Sequence, residues 1–133
     1  MVMLAADTKV WARALLADDK AQAATAKEAL AKARSAGGMF VPLLVMAELS
    51  WVLRSRWERD RVIDTLDGML RTRGVQVESP ALARKALDAA RSGAAGFADH
   101  LMTEISFAAG ANEILTFDKA FARERRVRRL REV

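Results

Sequence analysis

Residues 37–56 read GGMFVPLLVMAELSWVLRSR. The paired glycines end the segment before them. Met39 to Val41 is a short apolar run with strand character. Pro42 then suits the first turn of a helix, where its missing N–H would have had no partner anyway. That helix runs to about Arg56. A short strand set between two helical segments calls for crossover connections, and therefore for parallel pairing.

The same alternation continues in both directions. Towards the N-terminus, residues 2–6 form an apolar run read as a buried first strand. Asp7 or Thr8 can cap a helix to about Ala17. Asp18 and Asp19 open a second helix, alanine-rich over residues 21–33, that the glycine pair stops. Towards the C-terminus, Val62, Ile63, Leu66, Met69 and Leu70 fall on one face of a helix from Glu58 to Arg71. Gly74 breaks it, and Val75 to Val77 reads as a third strand. Ser79-Pro80 is a cap followed by a first-position proline, opening a helix to about Arg91. A glycine-containing loop, Ser92 to Gly96, leads to a helix whose apolar face holds Phe97, Ala98, Leu101, Met102 and Ile105, ended by Gly110. Glu113 to Phe117 is a fourth strand. A short helix begins near Asp118, and Val127 to Leu130 is a fifth, edge strand. The expected fold is α/β, one domain over residues 1–133, with a mostly parallel sheet of about five strands covered by helices on both faces. Ligands in such sheets collect at the carboxyl ends of the strands.

Composition narrows the chemistry. The chain has no cysteine and one histidine, His100, so a disulfide framework and a thiolate metal site are excluded. The lack of cysteine fits a reducing cytoplasm. The longest uncharged run, Ser35 to Ala47, is too short to span a bilayer, where about 18 apolar residues are needed. The first ten residues, MVMLAADTKV, lack the basic start of a signal peptide. The net charge is +5. The excess is concentrated in Lys119 to Arg131, where seven basic residues stand against Glu124. A basic balance suits a polyanionic partner, although an arginine-rich solvated surface gives the same total.

Four acids fall where a ligand would sit. Asp7 follows the first strand, and Asp118 follows the fourth by one residue. Glu48 lies in the helix after the second strand, and Asp99 in the first turn of the helix before the fourth. Taken singly, Asp7 and Asp118 read as helix caps worth about 1 kcal/mol. Asp99 reads as a carboxylate favoured by its helix dipole. Glu48 is harder to place this way: it is the only charge in VPLLVMAELSWVL, between Leu44 and Trp51, and needs a partner if buried. Arg54 is one. Taken together, the four would repel one another unless a cation lay among them. Oxygen donors without histidine or cysteine suit Mg²⁺ or Mn²⁺.

In this order the segments LAADTKVWARALLADD, VPLLVMAELSWVL, GFADHLM and ILTFDKAFAR resemble those of the PIN-domain ribonucleases, and within them the VapC-type toxins of bacterial toxin–antitoxin pairs. The resemblance covers nearly the whole chain. It implies a three-layer α/β/α sandwich and a Mg²⁺-dependent endoribonuclease. It implies Asp7, Glu48, Asp99 and Asp118 as catalytic acids, with Asp7, Asp99 and Asp118 on the metal and Mn²⁺ as an alternative ion. Thr116 matches a polar position accompanying the last acid, and Thr8 follows the first. The family usually has asparagine where this chain has Lys9. That lysine either reaches into the acids or points outward to RNA. Lys9, Lys119, Arg123, Arg125 and Arg126 are the candidates to contact RNA. The resemblance also implies an antitoxin protein as partner and a homodimer. The two helices over residues 42–56 and 58–71 are candidates for those contacts.

Other readings fail or differ in class. A haloacid-dehalogenase-type phosphatase needs an aspartate at position 9. A receiver domain needs a phosphoacceptor aspartate after the third strand, where Glu78-Ser79 stands. A PIN-like module that binds RNA or protein without catalysis is the alternative. His100 reads as a structural residue, because neighbours on a helix do not share a face with Asp99. Trp11, Trp51 and Trp57 could stack on bases, although the apolar helix around Trp51 suggests packing.

Overall fold

The structure, a computed structural model, describes residues 2–132. The chain forms two compact units that divide after Pro80.

The first unit holds β1 (Leu4–Ala5), α1 (Thr8–Leu16), α2 (Lys20–Ser35), β2 (Met39–Val41), α3 (Leu43–Arg54), α4 (Arg59–Arg71) and β3 (Val75–Val77). Its strands pair in the order β1-β2-β3, all parallel, with Leu4 opposite Met39 and Met39 opposite Val75. Local chemistry sets the boundaries. Asp7 and Asp19 cap α1 and α2 with their carboxylates, accepting from the amides of Val10 and Gln22. Pro42 stands at the cap of α3 rather than within it, and has no side chain to satisfy the first amides. Glu78, just past β3, replaces it: its Oε1 accepts the Leu43 N–H at 2.8 Å. Val41, Met46, Leu49, Leu53, Ile63 and Leu66 are fully buried and form the centre of this unit. α1 packs on α2 and α3, and α3 on α4.

The second unit holds α5 (Pro80–Ser92, its first residue closing the first unit), α6 (Phe97–Ala108), β4 (Ile114–Thr116), a 3₁₀ turn (Phe121–Arg123) and β5 (Val127–Arg129). β4 and β5 pair in parallel, with Ile114 opposite Val127. Ala83, Ala86, Leu87 and Ala90 make a buried stripe on α5 at the spacing of one helix face. Ala95, Ile114, Phe121 and Val127 form a separate apolar cluster, with Phe107 against it.

The α/β class and the parallel pairing are as expected. The five strands form hydrogen-bonded sets of three and two. One expectation needs correction: the first apolar run is not buried, since Val2, Met3 and Leu4 are exposed. Among the described residues, no helix is long and apolar enough to cross a membrane.

Gly74 shows why glycine is needed where β3 begins. Its φ is +84°, and a Cβ there would lie 2.5 Å from the Arg34 carbonyl oxygen at the end of α2. Gly68, in α4, has open space around the corresponding position. Gly74→Ala is expected to destabilise the protein by more than about 1 kcal/mol. Gly68→Ala is expected to stabilise it by about 0.5–1 kcal/mol. Urea unfolding of the two variants beside the parent chain checks both signs.

Candidate active site

Two of the four acids lie in the first unit. Asp7 ends the β1 segment and turns the chain into α1, and its extended backbone (φ −76°, ψ 171°) is that of a cap. Only Oδ1 is used by the Val10 amide, at 3.2 Å. The next residue, Thr8, donates its hydroxyl to Oε1 of Glu48 at 2.9 Å. One hydrogen bond thus ties the start of α1 to the middle of α3 and fixes the Glu48 carboxylate beside the Asp7 segment. Glu48 is exposed, as are Leu44 and Trp51 on the same helix. The partner it needs is therefore Thr8, and burial between apolar neighbours is not its problem. Trp51 is 66% exposed and does not pack into the core.

A cleft of about 570 Å³ opens beside Asp7, lined in part by Lys9, Arg13, Gln22 and Thr25. Lys9 is exposed there. Arg13 is held by Gln22 at 2.6 Å and by Asp18 at 3.4 Å.

The second unit holds the other two acids. Asp99 lies three residues after Gly96, the cap of α6, and the Gly96 backbone favours the charged form of its carboxyl. Asp118 follows β4. Its Oδ1 accepts the amides of Ala120 at 2.8 Å and Phe121 at 3.1 Å, opening the 3₁₀ turn. The Thr116 hydroxyl accepts the Asp118 backbone N–H at 3.0 Å.

Capping does not account for what these two carboxylates do to each other. The Asp99 carboxyl is pushed above its ordinary value of 3.8, first by burial and then by the negative charge of Asp118. His100 and the Gly96 backbone pull the other way, and less strongly. Two like charges within interaction range raise a pKa in this way. The donors are all hard oxygens, the kind that suits Mg²⁺ or Mn²⁺. A cation between them would remove the repulsion, so the residues fit such an ion. They do not form a ready-made cage: among the described residues no three histidine, cysteine, aspartate or glutamate side chains converge.

The basic candidates divide. Lys119, Arg123 and Arg125 are exposed. Arg126 is held by the fold: Nε donates to the Asn112 carbonyl at 2.8 Å, Nη2 donates to that of Ala111, and the guanidinium lies 3.9 Å from the centre of the Phe107 ring. Arg128 pairs with Glu113 at 2.8 Å. Trp57 already carries Arg61 over its ring, and Trp11 is buried.

Sequence reasoning missed two carboxylates that shape these surroundings. Glu78 caps α3, which carries Glu48. Glu124 bonds the Ala94 amide ahead of α6, which carries Asp99. Neither is preceded by a local signal, because each acts on a residue about 30 or more positions away.

The raised Asp99 value has a consequence for stability. Asp99 holds its proton more tightly folded than unfolded. Its contribution is complete below about pH 3.8 and is lost as pH rises through the raised folded value. In Asp118→Asn the Asp99 value is expected to fall towards 3.8, and part of that loss disappears. Carboxyl ¹³C shifts of Asp99 against pH, without metal, read this directly. An unmoved titration would mean the two acids are not coupled.

The PIN domain model matches residues 4–126, a span that includes all four acids and runs through both compact units. No curated protein and no solved structure matches the chain. PIN domains are generally metal-dependent nucleases. With the match covering almost its full length, the chain belongs to the PIN domain family.

Proposed function

We propose that this PIN domain is a Mg²⁺-dependent endoribonuclease, the toxin of a VapC-type toxin–antitoxin pair, acting as one functional domain over residues 1–133. The observation that carries the reading is the coupling of Asp99 to Asp118. A carboxyl whose proton affinity is raised by burial and by a second carboxylate, in a family of nucleases, is suited to a divalent cation. Mere capping would leave them independent.

Asp7, Asp99 and Asp118 would hold the ion, with Mn²⁺ as a substitute. Bound there, it would supply charge neutralisation at a phosphate oxygen and a lowered pKa for water. The protein's own groups do the rest. Thr8 orients Glu48 through the 2.9 Å hydrogen bond and keeps its carboxylate available as a proton acceptor or ligand. Thr116 fixes the backbone at Asp118. The caps at Asp7 and Asp118 hold each side chain to one rotamer through Oδ1, so little ordering remains to be done when a ligand arrives. Lys9, at the cleft beside Asp7, and the exposed Lys119, Arg123 and Arg125 would meet RNA phosphates. Arg126 is a structural tie in this reading. An antitoxin protein, a homodimer and a cytoplasmic location complete the proposal.

RNA cleavage by the chain is expected to require Mg²⁺ and to stop with EDTA. Asp99→Asn is expected to lower it by at least about 100-fold, the usual scale for losing one group that stabilises developing charge. Binding of RNA without cleavage would instead favour a catalytically inactive PIN-like module. Expression of the chain alone is expected to arrest growth of its host, and expression of Asp99→Asn is not. Equal growth curves for the two would remove the toxin role.

A further inference from the structure

The only histidine of the chain is buried, at 5% exposure, and its Nε2 has no hydrogen-bond partner. It lies 3.6 Å from Oε1 of Glu124. That same oxygen accepts the Ala94 amide at 2.7 Å. Between the two side chains stands Gly93. A Cβ there would sit 2.5 Å from the Glu124 oxygen and 2.6 Å from the His100 nitrogen. The gap is therefore one that only glycine leaves open.

The position of this cluster gives it meaning. Glu124 closes the 3₁₀ turn that Asp118 opens: Asp118 accepts the first amides of the turn, and the Glu124 N–H donates to the Phe121 carbonyl at 3.0 Å. Asp118 and Glu124 are thus the two ends of one hydrogen-bonded turn. On the facing side, Ala94 and His100 flank the first turn of α6, where the His100 amide donates to the Gly96 carbonyl at 3.1 Å. Asp99 lies within that turn. Ala95 and Phe121 belong to one buried apolar cluster, which presses the two segments together below the polar contact.

We propose that Glu124 is a positioning residue: by binding the Ala94 amide in the space that Gly93 leaves beside His100, it sets the separation of Asp99 from Asp118. His100 is the wall of the pocket. It fixes where the Glu124 carboxylate can stand. The inference rests on the nuclease reading in one respect, that Asp99 and Asp118 share a divalent ion. Glu124 itself touches neither ion nor RNA. Its effect is geometric, and groups that orient metal ligands from behind typically change metal affinity by about 10–100-fold.

The test is Mn²⁺ binding to the full chain, followed by electron paramagnetic resonance, with RNA cleavage measured in parallel. Glu124→Ala is expected to weaken Mn²⁺ binding by about 10–100-fold and to lower kcat while leaving KM for RNA unchanged. Glu124→Gln keeps an acceptor for the Ala94 amide and is expected to restore affinity close to that of the parent. A residue needed only for folding would not give this selective rescue. Glu124→Ala binding Mn²⁺ as tightly as the parent would overturn the proposal and leave the nuclease reading intact. A parent chain that binds no Mn²⁺ would remove the nuclease reading, and this proposal with it. If Glu124→Ala fails to fold, hydrogen exchange at the Ala94 amide of the parent decides. A protected amide supports the clamp, and exchange at the rate of an open loop overturns it.

Discussion

The repulsion of Asp99 by Asp118 is the constraint that the second unit has to accommodate. Asp99 and Asp118 come from a helix start and a strand end, about twenty residues apart in the chain. Their repulsion opposes folding of that unit whenever both are ionised. The unit accepts it in part because Asp118 satisfies two backbone amides where it opens a 3₁₀ turn, while the Gly96 backbone favours the charged form of Asp99. Local hydrogen bonds thus offset part of a long-range penalty that a bound cation would remove altogether.

For any one of these acids a capping role and a ligand role are compatible. Asp7 and Asp118 are caps, each through one carboxylate oxygen. A cap needs one lone pair of one oxygen, while an ionised carboxylate offers about four acceptor positions. The cap also limits the side chain to one arrangement, as a metal or phosphate site requires. Glu48 is the acid that has no capping role, and it is fixed instead by Thr8 from a different helix. The first unit therefore positions its acids by the same means as the second, with hydroxyl and amide donors rather than with basic partners.

Charge is divided in a similar way. The basic C-terminal segment looks uniform in the sequence, yet its arginines have different tasks. Arg126 ties the loop after α6 to β5 through two carbonyls and an aromatic face, and Arg128 is paired with Glu113. Only the remaining exposed cations contribute an unspent positive field. For recognition of a polyanion this matters more than the total of +5, since a guanidinium already bonded to carbonyls or to a carboxylate gains less from a phosphate.

The strands β2 and β3, the helix starts at Asp7 and Asp19, and the stop before Gly37 were legible in the sequence, because they depend on interactions within three or four residues: a cap, a missing proline N–H, an apolar period. The four acids were legible as candidates because strand ends are where such sheets bind ligands. What tertiary structure decided is everything carried by contacts far along the chain. It left β1 and Trp51 exposed, since periodicity reports that a face is apolar and not what covers it. It gave Glu48 to Thr8, Glu78 to the start of α3 and Glu124 to Ala94, across 30 to 40 residues. It also placed His100 beside a glycine that no local turn requires. A carboxylate's partner at that range depends on where two elements meet, and no short window of sequence holds that information.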